Sequence, residues 1–307
     1  MNSLTVLARK EFKSAFKDRV FFLIAILFII MSIASVYIGS TTKNAEMQAY
    51  ESILSVAKAQ GGNIPSAPEI YPLAILRNII DYIVMIGAVL AVFLGFDAFS
   101  GERENGTLSL LLTRPLYRDQ VVTGKIIGAG MTIGTLLSVT LIFNIILFSF
   151  ATRMMPGMNE VFRLAAFIIF AFIYMMLFYI GALLLSIKTR DRAYGFLTMM
   201  VAWVFVSYVI PQLADTQRNF AYAITGSSGV VSQIPADTAI SKAIELFSPA
   251  VQFKHIGNDL LQVVSQTATI NISHIIANDI LPLIYILIPV IVLLTLAYIA
   301  VQKEDVL

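Results

Sequence analysis

The side chains that could support redox or metal chemistry are few in this chain of 307 residues, which has no cysteine and only two histidines. Without thiols, the chain cannot form disulfides, zinc–thiolate sites, iron–sulfur clusters or cysteine nucleophiles. Each histidine has one acid nearby in the sequence, His255 with Asp259 and His274 with Asp279. Such single pairs are more typical of surface or packing residues than of ligands. We therefore predict no metal site.

Three methionines offer an alternative site for a soft metal ion. Met154, Met155 and Met158 lie in one short connection between apolar runs, and thioethers suit Cu(I). Soft-ligand sites usually also contain cysteine or histidine, and methionine is an adaptable apolar residue at helix ends. Copper binding by these methionines is thus the less favoured alternative to no metal.

The densest group of charges lies between residues 99 and 125, in the stretch FSGERENGTLSLLLTRPLYRDQVVTGK. Leucines at i, i+3 and i+4 predict one apolar face on a short helix that begins at Glu102 and ends at Thr113. These leucines are Leu108, Leu111 and Leu112. Pro115 ends the helix, because the residue before a proline avoids the helical region. Composition fits either an interfacial helix with its leucines in lipid or a docking helix that inserts into a partner.

The stretch ends in Gly124-Lys125, which is not a P-loop because the upstream glycine and the following hydroxyl residue are missing. No other G-x-x-x-x-G-K-[ST] motif occurs in the chain. We expect the Lys125 amino group to extend to the membrane interface. The chain therefore cannot hydrolyse ATP through a P-loop.

Composition places the chain among membrane proteins. It is 58% apolar and 13% charged, with a mean hydropathy of +0.83, whereas soluble proteins average about 25% charged residues. Its net charge of +2 gives no indication of nucleic-acid binding. Six apolar stretches reach the length of about 20 residues that a membrane-spanning helix needs. They cover residues 20–40, 73–99, 120–150, 162–187, 193–213 and 280–301. The predicted fold class is an all-α integral membrane protein with one transmembrane domain over residues 1–307.

Positive charges in the loops predict the orientation of the chain. Thirteen of the 21 Lys and Arg residues lie in the two terminal segments and in the segments 100–125 and 188–192. We therefore predict that both termini are cytoplasmic and that the chain lies in the cytoplasmic or plasma membrane. The external loops would be 41–72, 151–161 and 214–279.

Helical patterns also occur outside the six spans. In residues 1–19, large apolar residues recur at helical spacing while basic residues fall mostly elsewhere, which predicts an amphipathic interfacial helix. The external loop 214–279 contains two further patterns. The first covers residues 237–247, with Asp237 or Thr238 as its cap, and the second begins with the cap Ser248 and a proline at the first helical position. We predict two short external helices there.

Small and polar residues inside the spans suggest how the helices pack. The third span has two small-xxx-small pairs, which allow close approach of helices within the chain or across a dimer. These pairs are Gly124/Gly128 and Gly130/Gly134. Asp81 in the second span is expected to pair with Arg77, four residues earlier. Asn144 in the third span is a candidate for a hydrogen bond between helices.

The segment from residue 102 to residue 125 resembles the signature of ABC-2 type transporter permeases. The likeness consists of Glu102-Arg103-Glu104-Asn105-Gly106-Thr107-Leu108, the pair Leu111-Leu112, then Arg114-Pro115, Arg118 and Gly124-Lys125. It is strongest to the branch that includes permeases linked to multi-copper enzyme maturation. The N-terminal sequence ARKEF, the six spans and the Ser-Pro pair after the fifth span extend the likeness over the whole chain.

The resemblance implies a non-catalytic permease subunit that moves a substrate, with export as the expected direction. Energy would come from two copies of a P-loop ATPase subunit, which would hold ATP and Mg²⁺, while this chain would hold no cofactor. A second permease copy, identical or a close paralogue, would complete the transporter in the lipid bilayer. An external or periplasmic partner is left open, and no nucleic acid is expected.

The resemblance also implies which residues contact the ATPase, through a coupling helix region at residues 100–119. They are Glu102, Arg103, Glu104, Gly106, Thr107, Leu108, Leu111, Leu112, Pro115 and Arg118. A second cytoplasmic contact would be formed by Lys188, Arg190, Asp191 and Arg192.

Two other classes of function were compared with transport. A membrane enzyme such as an intramembrane protease needs paired polar groups at membrane depth, and both histidines lie in the predicted external loop. A non-transporting anchor or assembly subunit that transmits force to an external partner needs the same docking helix. This mechanical function is the open alternative to transport.

Overall fold

A computed structural model describes residues 3–60, 71–104, 106, 118–152, 155–189, 191–225, 230–263 and 271–303. Six of its helical segments are long and apolar enough to cross a membrane. The predicted class, a helical integral membrane protein, is confirmed.

In chain order, the described helices are α1 (Ser3–Ala15), α2 (Arg19–Gln60), α3 (Asn78–Tyr82), α4 (Ala88–Glu104), α5 (Arg118–Thr152), α6 (Met158–Lys188), α7 (Arg192–Val204), α8 (Ile210–Thr216), α9 (Ala239–Glu245), α10 (Pro249–Leu260), α11 (Ile272–Asn278) and α12 (Ile280–Lys303). The first, third, fourth and sixth spans are α2, α5, α6 and α12. The second span joins a 3₁₀ turn (Pro72–Leu76), α3, a π-helical turn (Ile83–Gly87) and α4. The fifth joins α7, a second π-helical turn (Phe205–Val209) and α8.

Helix α2 continues far beyond its predicted end at residue 40. It ends at Gln60, so most of the predicted external loop 41–72 is helical, and residues 61–70 lie outside the described part of the chain. Hydropathy falls after Ser40, but Ala, Glu, Gln and Lys continue and favour helix, and no glycine or proline follows until Gly61. The end of the apolar run was therefore not the end of the helix.

The segment between the fifth and sixth spans contains both predicted short helices. Thr238 caps α9 by accepting a hydrogen bond from the Ser241 amide at 3.0 Å, and Ser248 caps α10 by accepting one from the Val251 amide at 3.4 Å. The two predicted helices are confirmed. A β-hairpin that the sequence analysis did not predict precedes them.

The hairpin consists of two antiparallel strands, β1 (Asn219–Thr225) and β2 (Val230–Ala236), paired from Asn219 with Ala236 to Thr225 with Val230. Both strands are rich in aromatic and β-branched residues, and the segment between them reads Gly-Ser-Ser-Gly. Two such runs around a short glycine-containing connection are a hairpin signal. This local pattern could have predicted the strands.

Polar side chains in the helix bundle bond to backbone carbonyls or to each other. In the π-helical turn of the second span (Ile83–Gly87), the Val84 carbonyl accepts hydrogen bonds from the Tyr174 hydroxyl and the Trp203 indole, both at 3.3 Å. The Ser32 hydroxyl of α2 donates to the Asn144 side-chain oxygen of α5 at 3.2 Å. The predicted hydrogen bond from Asn144 to another helix is confirmed.

The two ends of the bundle differ in what they carry. We call proximal the end where α1, the C-termini of α4, α6 and α12, and the N-terminus of α5 lie together. We call distal the opposite end, where α9, α10 and α11 lie against the starts of the second, fourth and sixth spans. Glu102, Arg103 and Glu104 of the predicted coupling residues thus belong to the proximal end, and both histidines to the distal end.

Two glycines of α5 face helix α1 at very short range. A Cβ atom at Gly124 would lie 2.6 Å from the Leu7 side chain, and one at Gly128 would lie 2.5 Å from the Glu11 Cβ atom and 2.9 Å from the Ala8 carbonyl oxygen. By contrast, a Cβ at Gly130 would meet only the Phe172 ring, at 3.5 Å, and one at Gly134 would meet the same ring at 3.9 Å. The first pair of glycines lets α1 lie directly on the third span.

Alanine at these two kinds of position should therefore have opposite effects on stability. Gly130→Ala should raise the free energy of unfolding by up to about 1 kcal/mol, because alanine is the better helix former. Gly128→Ala should lower it by about 1–3 kcal/mol, because the new methyl group overlaps the backbone of α1. Thermal unfolding of both variants in detergent tests this, and a similar shift of both melting temperatures would contradict it.

Candidate functional site

The acidic-basic cluster that carries the family resemblance lies at the end of a span, and not at the start of a separate helix. Glu102, Arg103 and Glu104 form the last turn of α4, and Gly106 follows with a φ of 65° and an amide that donates to the Arg103 carbonyl. A positive φ after a helix is the usual place for glycine. The prediction that the short helix begins at Glu102 and that the second span ends at residue 99 is therefore wrong.

The remaining predicted coupling residues fall mostly outside the described part of the chain. Those outside it are Thr107, Leu108, Leu111, Leu112 and Pro115. Arg118 begins α5. The structure thus describes the two helix ends that flank the segment 105–117, which are the C-terminus of α4 at Glu104 and the N-terminus of α5 at Arg118.

Contacts with the fourth span explain why α4 continues through its polar last turns. The Ser186 hydroxyl of α6 donates to the Phe96 carbonyl at 2.6 Å and accepts from the Ser100 amide at 3.0 Å. Its oxygen also lies 3.1 Å from the Ser100 hydroxyl. Rising polarity at Ser100 indicated the end of the span from sequence, but these polar groups are satisfied inside the protein.

Lys125 is the centre of a buried ionic network at the proximal end. Its side chain is 1% exposed, and its Nζ lies 3.1 Å from Glu11 Oε1 of α1 and 3.1 Å from Glu102 Oε2 of α4. It also donates to the Ala98 carbonyl of α4. Two of the three N–H donors of the ammonium group thus form hydrogen bonds, to Glu11 and to the Ala98 carbonyl, and Glu102 adds an ion pair. The expectation that Lys125 extends to the membrane interface is wrong.

Two further groups complete the network. Lys10 Nζ of α1 lies 2.6 Å from Glu102 Oε1, so Glu102 bridges two ammonium groups. The Phe99 ring lies 5.0 Å from Lys125 Nζ, within the range of a cation–π contact. With two lysines and two glutamates, the charges balance. This neutrality lowers the cost of burying Lys125, while Lys10 at the edge of the network remains half exposed.

Arg103, the next residue after Glu102, contacts a different helix. Its guanidinium donates to the Thr189 carbonyl at 2.6 Å and to the Ile187 carbonyl at 3.5 Å, at the C-terminus of α6. A cation there satisfies free carbonyl groups and interacts favourably with the helix dipole. Adjacent residues of one helical turn thus connect α4 to α1, α5 and α6.

The predicted second cytoplasmic contact also lies at the proximal end. Lys188 is exposed at the end of α6, and Asp191 caps α7 by accepting a hydrogen bond from the Tyr194 amide at 3.1 Å. Arg190 and the side chain of Arg192 lie outside what the structure describes. The role that the structure gives to Asp191 is that of a helix cap.

A cavity of about 930 Å³ opens beside this network, between α4 and α7. Its described lining combines aromatic and acidic side chains. They are Phe93, Phe96, Phe196, Asp97, Glu104 and Asp191, with Val20 and Ala193.

The methionines that were the alternative metal ligands belong to the distal end. Met155 is 90% exposed and Met158 is 72% exposed, while Met154 lies outside the described residues.

Asp81 forms its ion pair with Lys254 of α10, at 2.6 Å, in place of the predicted partner Arg77. The four-residue spacing to Arg77 suggested a local pair, but the cation comes from a helix more than 170 positions later in the chain.

Six helical segments that are long and apolar enough to cross a membrane define a multi-pass integral membrane protein. The family model for ABC-2 family transporter proteins matches residues 5–306. The chain therefore belongs to the ABC-2 transporter family, and the resemblance seen in its sequence is confirmed.

Two relatives are each described as "Probable ABC transporter permease protein NosY". The protein from Stutzerimonas stutzeri is 30% identical over 131 residues, and that from Pseudomonas aeruginosa is 30% identical over 125 residues. The aligned segments cover 43% and 41% of this chain. They span 40% and 38% of the two relatives, less than half of either length.

The ionic network predicts a large loss of stability when its central cation is removed. Lys125→Met should lower the free energy of unfolding by about 3 kcal/mol, the lower end of the cost of breaking a buried pair, because the half-exposed Lys10 is then the cation that Glu11 and Glu102 share. Lys188→Met, at an exposed position of the same end, is the matched control and should change little. Thermal unfolding in detergent measures both.

A triple variant separates charge from packing in this prediction. Lys125→Met combined with Glu11→Gln and Glu102→Gln also neutralises the two carboxylates that have lost their buried cation. It should be more stable than Lys125→Met alone, because neutral groups are less costly to bury than charges that lack a buried partner. If Lys125→Met melts like its control, or if the triple variant is the less stable one, the network does not have the role described.

Proposed function

We propose that the chain is the permease subunit of an ABC transporter and that its proximal end receives movement from an ATPase subunit. Membership of the ABC-2 family supports this, as do two relatives whose names describe permeases. The observation that carries the proposal is the anchoring of Glu102 and Arg103. They connect the start of segment 105–117 to three further helices.

Anchoring matters because a docking segment transmits movement only if its base is stiff. A flexible joint at Glu104 would let a docked partner move without the spans. Instead, Glu102 is held through Lys125 of α5 and Lys10 of α1, and Arg103 is held at the end of α6. A displacement of segment 105–117 would therefore move α1, α4, α5 and α6 as one body, which is a rigid-body transition.

The partner would be a P-loop ATPase present in two copies, which binds ATP and Mg²⁺, with a second permease copy beside this one. The leucines of segment 105–117 suit such a contact because they offer an apolar face for burial, and Arg114 with the charged residues on both sides of the segment would select the partner. This chain supplies no nucleotide site in the proposal.

The proximal end would face the cytoplasm, since it holds most of the positive charge. In that orientation the cavity between α4 and α7, whose lining includes Glu104 and Asp191 of the proximal end, lies toward the cytoplasmic side of the spans. A site on the side where ATP is hydrolysed fits a substrate taken up from inside. Export across the cytoplasmic membrane is therefore the direction that we propose.

A mechanical function without transport has one observation in its favour. The proximal contacts of α6 with Arg103 and its distal contact between Arg163 and the Asp259 carbonyl lie on one continuous helix. Arg163 and Ile187 are about 36 Å apart at 1.5 Å of rise per residue. This rod could carry movement to a partner on the distal side with no substrate moved.

The first test is co-purification from membranes. A soluble ATPase with a P-loop should be isolated with the tagged chain, and Leu111→Asp combined with Leu112→Asp should release it, because charges cannot enter an apolar contact. Phe247→Asp, an equally drastic change at a distal residue that is 74% exposed, is the control and should retain the ATPase. Isolation of the chain without an ATPase, or retention by the double variant, would refute the proposal.

The second test separates docking from transmission. Arg103→Gln should leave the ATPase bound but reduce the stimulation of its activity by the permease about tenfold, within the 5–150-fold range of typical coupling. Lys303→Gln, an exposed change at the same end, should leave the stimulation intact. Stimulated ATPase rates of purified complexes in lipid measure this. Full stimulation by the Arg103 variant would show that the anchor at α6 is not needed.

A further inference from the structure

Three potential metal ligands lie together at the distal end, outside the six spans. His255 and Asp259 are one turn apart on α10, and Asp279 lies between α11 and α12. His255 Nδ1 is 3.3 Å from Asp279 Oδ1 and 3.8 Å from Asp259 Oδ2. One ligand atom from each of the three residues can be chosen so that all lie within 4.8 Å of one another.

These separations are close to those of a formed metal site. Bonds of about 2.0–2.2 Å from Zn²⁺ to nitrogen and oxygen place neighbouring ligand atoms about 3.0–3.6 Å apart. The 3.3 Å distance falls in that interval, and 3.8 Å exceeds it by a few tenths of an ångström. The third separation, between the two carboxylate oxygens, is at most 4.8 Å. Rotation of the two acid side chains toward each other by about 1 Å would bring all three atoms onto one ion.

A second observation points to a missing ligand. Asp279 is only 2% exposed, and its Oδ2 atom is buried without a hydrogen-bond partner among the described residues. A carboxylate oxygen buried in this way costs free energy unless something satisfies it. The other oxygen of the same group, Oδ1, lies 3.3 Å from His255 Nδ1, so an ion beside His255 satisfies Oδ2 when it binds the Asp279 carboxylate through both oxygens.

The charges around the cluster favour a cation. Asp259 and Asp279 carry two negative charges, while the Arg163 guanidinium, which donates to the Asp259 carbonyl at 3.2 Å, supplies one positive charge. Glu245 adds a further acid near His255. Lys254 is paired with Asp81 at 2.6 Å. With a neutral imidazole, the group keeps an excess of negative charge.

A proton is the competing occupant. The hydrogen bond to Asp279 raises the pKa of His255, the charges of Asp259, Asp279 and Glu245 raise it further, and burial opposes them. A protonated His255 would neutralise part of the acidic charge, but it would leave Asp279 Oδ2 unsatisfied.

We propose that His255, Asp259 and Asp279 bind a divalent transition-metal cation that ties α10 to the start of α12. One imidazole and two carboxylates are ligands of Zn²⁺ and its neighbours in the first row. Ca²⁺ and Mg²⁺ prefer sites made of oxygen alone, and Cu(I) prefers sulfur. The His255 side chain is 60% exposed, which leaves a path for the ion and an open position for water.

Zn²⁺ binding to the purified full-length chain, with any bound ATPase retained, tests the site. After chelator treatment and removal of the chelator, calorimetric titration should give one Zn²⁺ per chain together with a higher melting temperature. His255→Ala and Asp259→Asn should each weaken binding at least tenfold. Both should also abolish the thermal shift, because the bound ion stabilises only the folded state.

The only other histidine of the chain provides the matched control. His274 is exposed and is not one of the three ligands, so His274→Ala should bind Zn²⁺ like the wild-type protein. Co²⁺ should give visible absorption in the wild-type protein and in the His274 variant, and lose it in the His255 variant. Unchanged Zn²⁺ binding in the His255 and Asp259 variants, or no binding by the wild-type protein, would overturn the proposal and leave a proton as the occupant.

Discussion

A single buried ammonium group determines how the proximal end is assembled. Lys125 has three N–H donors, and its acceptors come from α1 and α4. A buried charge with no partner is far more costly than a paired one. Helix α1 therefore cannot leave α5 without removing Glu11 from Lys125, and α4 cannot shift without removing Glu102. The charged residues do not merely border the membrane here but hold the helices in register.

The connection continues to the distal end through α6. Arg103 binds its C-terminal carbonyls, while Phe167 and Tyr174, further along the same helix, stack on Phe253 of α10 at ring-centre distances of 5.7 and 4.9 Å. Close-packed aromatic rings transmit displacement well because protein interiors are hardly compressible. Both the transport and the mechanical function need this property, and the fold provides it along an uninterrupted helix.

Features that depend on neighbouring residues, such as the spans and the helix caps, were predictable from the sequence. Ion pairs between residues far apart in the sequence were not. Six spans follow from hydropathy, since backbone groups in a bilayer must bond within a helix about 20 residues long. Ser248 as a cap follows from its neighbour Pro249. The partner of Lys125, however, is Glu11, 114 positions away, and only the fold brings them together. For the same reason Asp81 pairs with Lys254 and not with Arg77.

The length of α2 has a mechanical consequence. Its 42 residues extend about 63 Å at 1.5 Å per residue, roughly twice the 30 Å thickness of the hydrocarbon core. The part beyond Ser40 is mostly exposed, so it projects beyond the rest of the bundle as a stalk. A stalk converts rotation into displacement. A tilt of about 10° around its proximal end would carry Gln60 sideways by roughly 10 Å, so small movements near Lys125 would be amplified where the stalk ends.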